Sequence, residues 1–177
     1  MISRRTLLGG AAALAASSLA GCSTISTTNA VHTASKFRTY EGPPVTGLVV
    51  NKENRRLYLL NGNKALRAYD IELGNNPVGH KRLEGDGRTP EGAYMIDRRN
   101  PNSQYYLSVG ISYPNPMDMA FAKALGVPPG GDIFIHGTPP EKLRTKDWTA
   151  GCIAVTNDEV TEIYAMVRDG TPIFINA

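Results

Sequence analysis

The sequence predicts a mainly β, single-domain protein with one or two short helices, and three observations predict it. Short apolar runs recur along the chain and are punctuated by polar turn signals such as Asn51-Lys52-Glu53-Asn54 and Asn61-Gly62-Asn63, the pattern of strands joined by reverse turns. Only two windows, residues 117–125 and 157–167, space their apolar side chains as a helix does. Setting aside a leader of 21 residues leaves 156 of the 177, enough for one sizeable core and too few for two.

The leader is residues 1–21: Arg4-Arg5 form a basic start, residues 7–16 an apolar stretch, and Leu19-Ala20-Gly21 a small-residue cleavage region before Cys22. The apolar stretch is too short and too interrupted by Gly and Ser for a lasting transmembrane helix. Leu19-Ala20-Gly21-Cys22 resembles a bacterial lipobox, which implies lipidation of the Cys22 thiol and an exported, periplasmic protein anchored to a bacterial membrane. Ser3-Arg4-Arg5-Thr6-Leu7-Leu8 resembles a twin-arginine signal, which implies export in the folded state. Residues 22–44 are polar and rich in Ser, Thr and Ala, the composition of a flexible tether, and His32 within them is given no role. The domain proper is residues 45–177.

Within it, residues 46–50, 56–60 and 64–73 read as a β-meander. Residues 74–88 read as a polar loop that leaves His80 solvated. Gly85-Asp86-Gly87 superficially suggests a phosphate cradle, but no Gly-Lys-Ser/Thr follows and no helix opens, so turn chemistry accounts for it better. Strands at 92–97 and 104–112 come next, then the helix at 117–125 with its Met and Phe positions expected toward the core. Residues 132–136 and 151–155 form two buried strands. Thr156-Asn157-Asp158-Glu159 fits a capping box, with Thr156 as cap and a helix running to about Val167 with Ile163, Met166 and Val167 inward. Gly170-Thr171-Pro172 ends it before a closing strand at 173–175.

His136 ends one of the two buried strands and Cys152 opens the other, so two strand tips can bring an imidazole to a thiol. A thiol is only slightly ionised at neutral pH, and a neighbouring imidazole raises the nucleophilic thiolate fraction by taking the proton. Cys152 is thus the candidate nucleophile and His136 the proton shuttle. The backbone N–H groups of Gly151 and Cys152 are candidate donors to a developing oxyanion, since Gly lets the backbone approach a substrate without a Cβ in the way. His136 alone would read as a satisfied core histidine; its pairing with Gly-Cys shifts the reading to catalysis. The Thr149 hydroxyl either bonds the imidazole or a loop carbonyl, or only shapes a turn.

Two cysteines in an exported chain invite a disulfide, but a lipidated Cys22 has no free thiol and leaves Cys152 unpaired. The three histidines are scattered and show no metal-ligand spacing, and no cofactor is called for. The leader holds two of the 19 basic residues and none of the 16 acidic ones, so the remainder carries 17 against 16 and a net charge of +1. With no basic run longer than two residues, a nucleic-acid partner is excluded.

His136-Gly137 followed by Thr149-Ala150-Gly151-Cys152-Ile153 resembles the active-site signature of the L,D-transpeptidases, the YkuD-like peptidoglycan cross-linking enzymes. The similarity extends through Gly85-Asp86-Gly87-Arg88-Thr89-Pro90-Glu91-Gly92-Ala93-Tyr94 and covers residues 46–176. Thr149 to Asn157, together with Ile111-Ser112-Tyr113-Pro114-Asn115, resembles the YafK-like subgroup. The resemblance implies a β-sandwich or open barrel with the catalytic residues at one end of a sheet under a loop. It further implies acyl transfer through a cysteine acyl-enzyme on stem tetrapeptides in cell-wall remodelling. Two alternatives use the same residues: an L,D-carboxypeptidase, or an amidase that releases a lipoprotein from peptidoglycan. A third is a non-catalytic, lipid-anchored wall-binding module. Gly137, Tyr113, Trp148 and Arg144 are the candidate substrate contacts, with Lys146 beside Arg144 in the same loop. Many family members have His where this chain has Ala150 and Arg or Asn where it has Ala154, so a polar contact to the substrate or site wall is expected to be missing.

Overall fold

A computed structural model describes residues 35–177; the leader, Cys22 and His32 lie outside the described residues. Eight strands and two helices follow in the order β1 (Gly47–Asn51), β2 (Arg56–Asn61), β3 (Lys64–Asp70), β4 (Gly92–Asn100), β5 (Ser108–Ile111), α1 (Pro116–Ala124), β6 (Phe134–His136), β7 (Ile153–Ala154), α2 (Asn157–Met166) and β8 (Pro172–Asn176). The strands form one sheet in the order β3-β2-β1-β8-β4-β5-β6-β7. All neighbours are antiparallel except β1 with β8 and β6 with β7, which are parallel. The meander read from the sequence is the β1-β2-β3 half.

The sheet curls into an open half-barrel, and the chain beyond one edge strand reaches across to the other edge. Beyond β3 the chain continues to Glu72, which exchanges both backbone hydrogen bonds with Ala154 of β7, at 2.9 and 2.8 Å. Gly74 bridges Thr149 one step further on. The open-barrel expectation is therefore met, and pairing of this kind blunts an otherwise exposed edge. It also explains why the expected strand at 64–73 divides in two: residues 64–70 pair with β2, while 72 and 74 pair with the opposite edge.

Alternate residues of β1, β2 and β8 are buried, so Leu48, Val50, Leu57, Leu59, Ile173 and Ile175 line one concave face. β5 is buried along its whole length because α2 covers it and β6 from the other side. α2 starts as the sequence predicts: the Thr156 hydroxyl accepts the Glu159 N–H at 3.3 Å and the Glu159 carboxylate accepts the Thr156 N–H at 2.8 Å. Val160, Ile163, Met166 and Val167 then face the sheet.

Two expectations need correction. In α1 only Asp118 and Ala122 are buried, whereas Met117, Met119, Phe121 and Leu125 face outward. The helix is fixed by polar groups rather than by an apolar face, with Asn115 capping Met117 and Asp118 and Asp118 reaching back to the Asn115 N–H at 3.0 Å. His80 is not solvated either. Its Nδ1 accepts the Glu91 N–H at 2.8 Å and its Nε2 donates to Asp118 at 2.9 Å, so it ties the loop before β4 to α1. The turn reading of Gly85-Asp86-Gly87 holds: the Asp86 carboxylate accepts the N–H groups of Arg82, Leu83 and Arg88 and the Lys81 ammonium. Residues 35–44 have no helix or strand, yet Lys36 donates to the carbonyls of Pro101 and Tyr106, and Phe37 packs on Tyr164 of α2.

Candidate active site

β6 and β7 run side by side in parallel, with His136 opposite Ala154, so the last residue of β6 and the residue just before β7 are near neighbours in the sheet. His136 and Cys152 consequently line one open cavity of about 300 Å³, with Tyr105, Ser108, Asp132 and Phe134 among its walls and the polar loop 100–104 at its side.

His136 is buried, and its Nδ1 lies 2.7 Å from the Gly137 carbonyl. A carbonyl only accepts, so Nδ1 carries the proton and Nε2 is left as the basic nitrogen. Burial lowers the imidazole pKa, opposed by the Gly137 carbonyl, so the ring rests neutral. Two aromatic side chains hold it. Tyr105 stacks on the ring at 4.5 Å between centroids, and Trp148 stands edge-on at 5.6 Å. Tyr105 and Trp148 also meet each other at 5.5 Å, closing an aromatic bracket around the imidazole.

The Cys152 thiol lies 3.4 Å from the Asp132 carbonyl, to which it donates, and 3.4 Å from the Phe134 N–H, which it accepts. Burial pushes the thiol pKa up and the Asp132 charge adds to this, while the Phe134 N–H, Lys81 and Arg98 work the other way. Thiol and imidazole thus both rest neutral. Among the described residues the thiol's hydrogen bonds go to the backbone of Asp132 and Phe134, at and just before the start of β6, rather than to the imidazole.

The loop before Cys152 is shaped by Thr149, whose hydroxyl donates to the Cys152 carbonyl at 2.8 Å and accepts the Gly151 N–H at 3.1 Å. Of the roles open to Thr149, the structure displays a bond to a loop carbonyl, that of Cys152, which also shapes the turn, and not a bond to the imidazole. The Gly151 amide, expected to face an oxyanion, is already engaged by that hydroxyl, which leaves the Cys152 N–H as the candidate donor. Gly151 is required for another reason. Its φ of +133° is disfavoured for other residues, and an added Cβ would lie 2.6 Å from the Arg88 carbonyl.

The structure places the expected substrate contacts unevenly. Trp148 is beside the imidazole. Gly137 is buried, with its N–H donating to the Tyr105 carbonyl at 3.0 Å, and does not line the cavity. Tyr113 is buried under α1, where it meets His80 and Tyr94 edge-on and donates to the Pro129 carbonyl. Arg144 is exposed and does not line the cavity, and the same is true of Ala150. Ala154 is buried, so a polar side chain there would meet the sheet interior first.

Sequence reasoning missed three contributors. Tyr105 lies in a stretch expected as strand but forms a turn before β5. Asp132 has a left-handed φ of +53°, which aims its carbonyl at the sulfur. Asp147 anchors the loop between His136 and Cys152 through a two-pronged pair with Arg55, at 2.9 and 2.7 Å. An isolated Asp in a Gly-Gly-Asp or Lys-Asp-Trp context carries no local signal for either role.

Comparison with known proteins bears directly on this arrangement. The family model of the L,D-transpeptidase catalytic domain (YkuD) matches residues 46–175. The Escherichia coli K12 protein named "Putative L,D-transpeptidase YafK" is 32% identical over 132 residues, covering 71% of this chain and 48% of that protein. Among solved structures, the helical cell shape determining protein Pgp2 of Campylobacter jejuni superposes with a TM-score of 0.59 at 28% identity, over 77% of this chain and 49% of its own. An L,D-transpeptidase from Mycobacterium smegmatis shares the fold, with a TM-score of 0.50 at 16% identity over 73% of this chain and 58% of its own. This chain spans about half the length of YafK and of Pgp2.

Proposed function

This chain belongs to the YkuD L,D-transpeptidase catalytic-domain family, and from that premise we propose that it transfers acyl groups of peptidoglycan stem tetrapeptides through a thioester on Cys152. The observation that carries the reading is the shared cavity: one thiol and one imidazole with a free Nε2 open onto the same space.

The reaction begins from the neutral pair. His136 Nε2 takes the Cys152 proton as the sulfur attacks the carbonyl of the L-centred residue that precedes the terminal D-residue. The negative charge that develops on the carbonyl oxygen meets the Cys152 N–H, a donor fixed in place by the Thr149 turn. The C–N bond then breaks, and the imidazolium returns its proton to the leaving D-amino acid. An acceptor amine attacks the thioester, loses a proton to Nε2, and expels the thiolate with the new amide formed. Tyr105 and Trp148 keep the ring in one orientation through both halves. With water as acceptor, the same residues give a carboxypeptidase, and with a protein-linked stem as acyl donor they give an amidase.

The N-terminal segment belongs to the same proposal. Cys22 carries lipid, the leader directs export, and the domain works at a periplasmic membrane face within reach of the wall. The test is incubation of the purified chain with tetrapeptide muropeptides and analysis of the products by mass. The expected products are cross-linked dimers, tripeptides or both, formed by the wild type and absent with Cys152→Ser. Equal product from the Cys152→Ser variant overturns the assignment of nucleophile, and no product from either protein overturns the substrate.

A further inference from the structure

The cavity around Cys152 carries a charge that acyl transfer does not itself require. Among the residues that line it, Asp132 has the one ionised side chain; the remainder are amides, hydroxyls, aromatic rings, the thiol and a neutral imidazole. Asp132 is also the residue whose backbone carbonyl accepts the thiol at 3.4 Å, and the charge of its carboxylate acts on the sulfur. That carboxylate is 91% exposed and free to meet a ligand.

A neighbouring cation does not cancel this charge. Arg98 Nη2 lies 3.2 Å from the Asp132 carboxylate, but its Nη1 is held by both oxygens of Asp97, at 2.9 and 2.8 Å. The guanidinium lies over the Phe134 ring at 4.4 Å from the centroid, which fixes it across β5 and β6. One arginine shared by two carboxylates leaves the array with a net charge of −1. Lys142, Arg144 and Lys146, the positive side chains of the His-to-Cys loop, are not part of the cavity.

We infer that Asp132 is a specificity-determining residue that favours substrates presenting a primary ammonium group beside the reacting carbonyl. The inference rests on the acyl-transfer reading and deepens it. Two parts of a stem peptide supply such a group: the side chain of a diamino residue at the scissile centre of the donor, and the free amine of the acceptor. A cation at Asp132 also counters a charge that, together with burial, opposes ionisation of the thiol. An ammonium-bearing substrate therefore eases formation of the thiolate that attacks it. Because the carboxylate is exposed and screened by salt, the preference amounts to a several-fold factor rather than orders of magnitude.

The first arm of the test needs no substrate. The rate of modification of Cys152 is measured with two methanethiosulfonates of matched length, one bearing a trimethylammonium group and one neutral, using Cys152→Ser to subtract reaction at Cys22. The wild type reacts about threefold to tenfold faster with the cationic reagent after normalisation to a free thiol in solution, and Asp132→Asn brings the ratio of cationic to neutral rates down to one, while its rate with the neutral reagent holds or rises because the charge that opposes thiol ionisation is gone. Asn keeps the left-handed backbone available. A wild type without cationic preference, or an Asp132→Asn variant that keeps it, overturns the inference.

The second arm locates the ammonium. Donor tetrapeptides are compared with the diamino side chain free and acetylated. If Asp132 reads the donor, the loss in Asp132→Asn is confined to the free-amine peptide and appears in hydrolysis; if it reads the acceptor, the loss is confined to dimer formation at limiting acceptor. Equal losses on every substrate overturn the inference. A wild type with cationic preference in the first arm and no turnover of any stem peptide rejects the acyl-transfer reading while retaining the charge selection.

Discussion

His136 donates from Nδ1 to the carbonyl of Gly137 at 2.7 Å, and this one bond decides which ring nitrogen is left free to accept a proton. It fixes the tautomer without a carboxylate partner, so the ring stays neutral: burial lowers its basicity and the Gly137 carbonyl opposes this, while two aromatic rings bracket it.

The resting state of the pair follows from the direction of the two shifts. Burial raises the thiol and lowers the imidazole, so at neutral pH both are in their uncharged forms. Alkylation of Cys152 by iodoacetamide is therefore expected to be slow at pH 7 and to rise about tenfold per pH unit into the alkaline range, as for a thiol with no preformed ion pair. On the proposed mechanism, in which the imidazole acts as base only in the transition state, His136→Ala should leave that profile nearly unchanged while lowering turnover by about a hundredfold to ten-thousandfold. A rate already flat between pH 6 and 8 would show a preformed thiolate–imidazolium pair and reverse this account.

Gly151→Ala tests the close backbone approach beside Cys152. The new methyl would stand 2.6 Å from the Arg88 carbonyl on a backbone with φ of +133°. The expected cost is about 1–3 kcal/mol of stability from the strained backbone alone. Turnover should fall further than stability, since the Thr149–Gly151 bond that shapes the Cys152 turn must move with it. Thermal unfolding and single-turnover thioester formation measure the two losses separately.

What was legible in the sequence was whatever local chemistry encodes. The Thr156–Glu159 capping box needs only four consecutive residues, and it appears as read. The alternation in β1 and β2 likewise marks a face without reference to its partner. The reading of α1 failed because helical spacing says which residues share a face but not whether anything covers it; here a buried Asp118 holds the helix, through His80 and Tyr94 from distant parts of the chain. The thiol and imidazole were legible because each sits in a short motif. Tyr105, Asp132 and the Arg55–Asp147 pair were not, since their roles depend on strand order, and the pairing of Glu72 with Ala154 that closes the sheet has no local signature.

Asp86 links the loop before β4 to acid stability. Burial acts to raise its pKa, but three backbone N–H groups and the Lys81 ammonium outweigh it and hold the carboxyl at about 2. A folded value below the unfolded one means that the stabilisation is complete above the unfolded pKa near 3.8 and is lost as pH falls through about 2. The shift corresponds to about 2 kcal/mol. Asp86→Asn should cost about 3–5 kcal/mol near neutral pH, because it leaves the buried Lys81 ammonium without its partner. The gap between variant and wild type should narrow in denaturant titrations carried from pH 4 to pH 2; a gap independent of pH would show that the carboxylate's charge is not what holds the loop.

The Arg55–Asp147 pair holds the loop between His136 and Cys152 from outside the candidate cavity, and is a direct test of whether that loop must be held. Arg55 Nε and Nη2 bond the two Asp147 oxygens at 2.9 and 2.7 Å. The same carboxylate accepts the Leu73 N–H at 3.1 Å, and the Asp147 N–H donates to Glu72 at 2.7 Å. Asp147 thus fastens the loop to the segment that closes the sheet, one residue before Trp148 and five before Cys152. A planar two-pronged contact is not reproduced by an ammonium, so Arg55→Lys should behave more like a loss than a conservative change. With the pair half-buried, a stability loss of about 1–3 kcal/mol is expected for Arg55→Lys. If the clamp positions the site, kcat should fall more than KM rises, and the tryptophan emission of Trp148, the chain's one tryptophan, should shift as the loop relaxes. Unchanged kcat and emission in a folded Arg55→Lys protein would show that Thr149 and the Glu72–Ala154 pairing suffice to hold Cys152 in place.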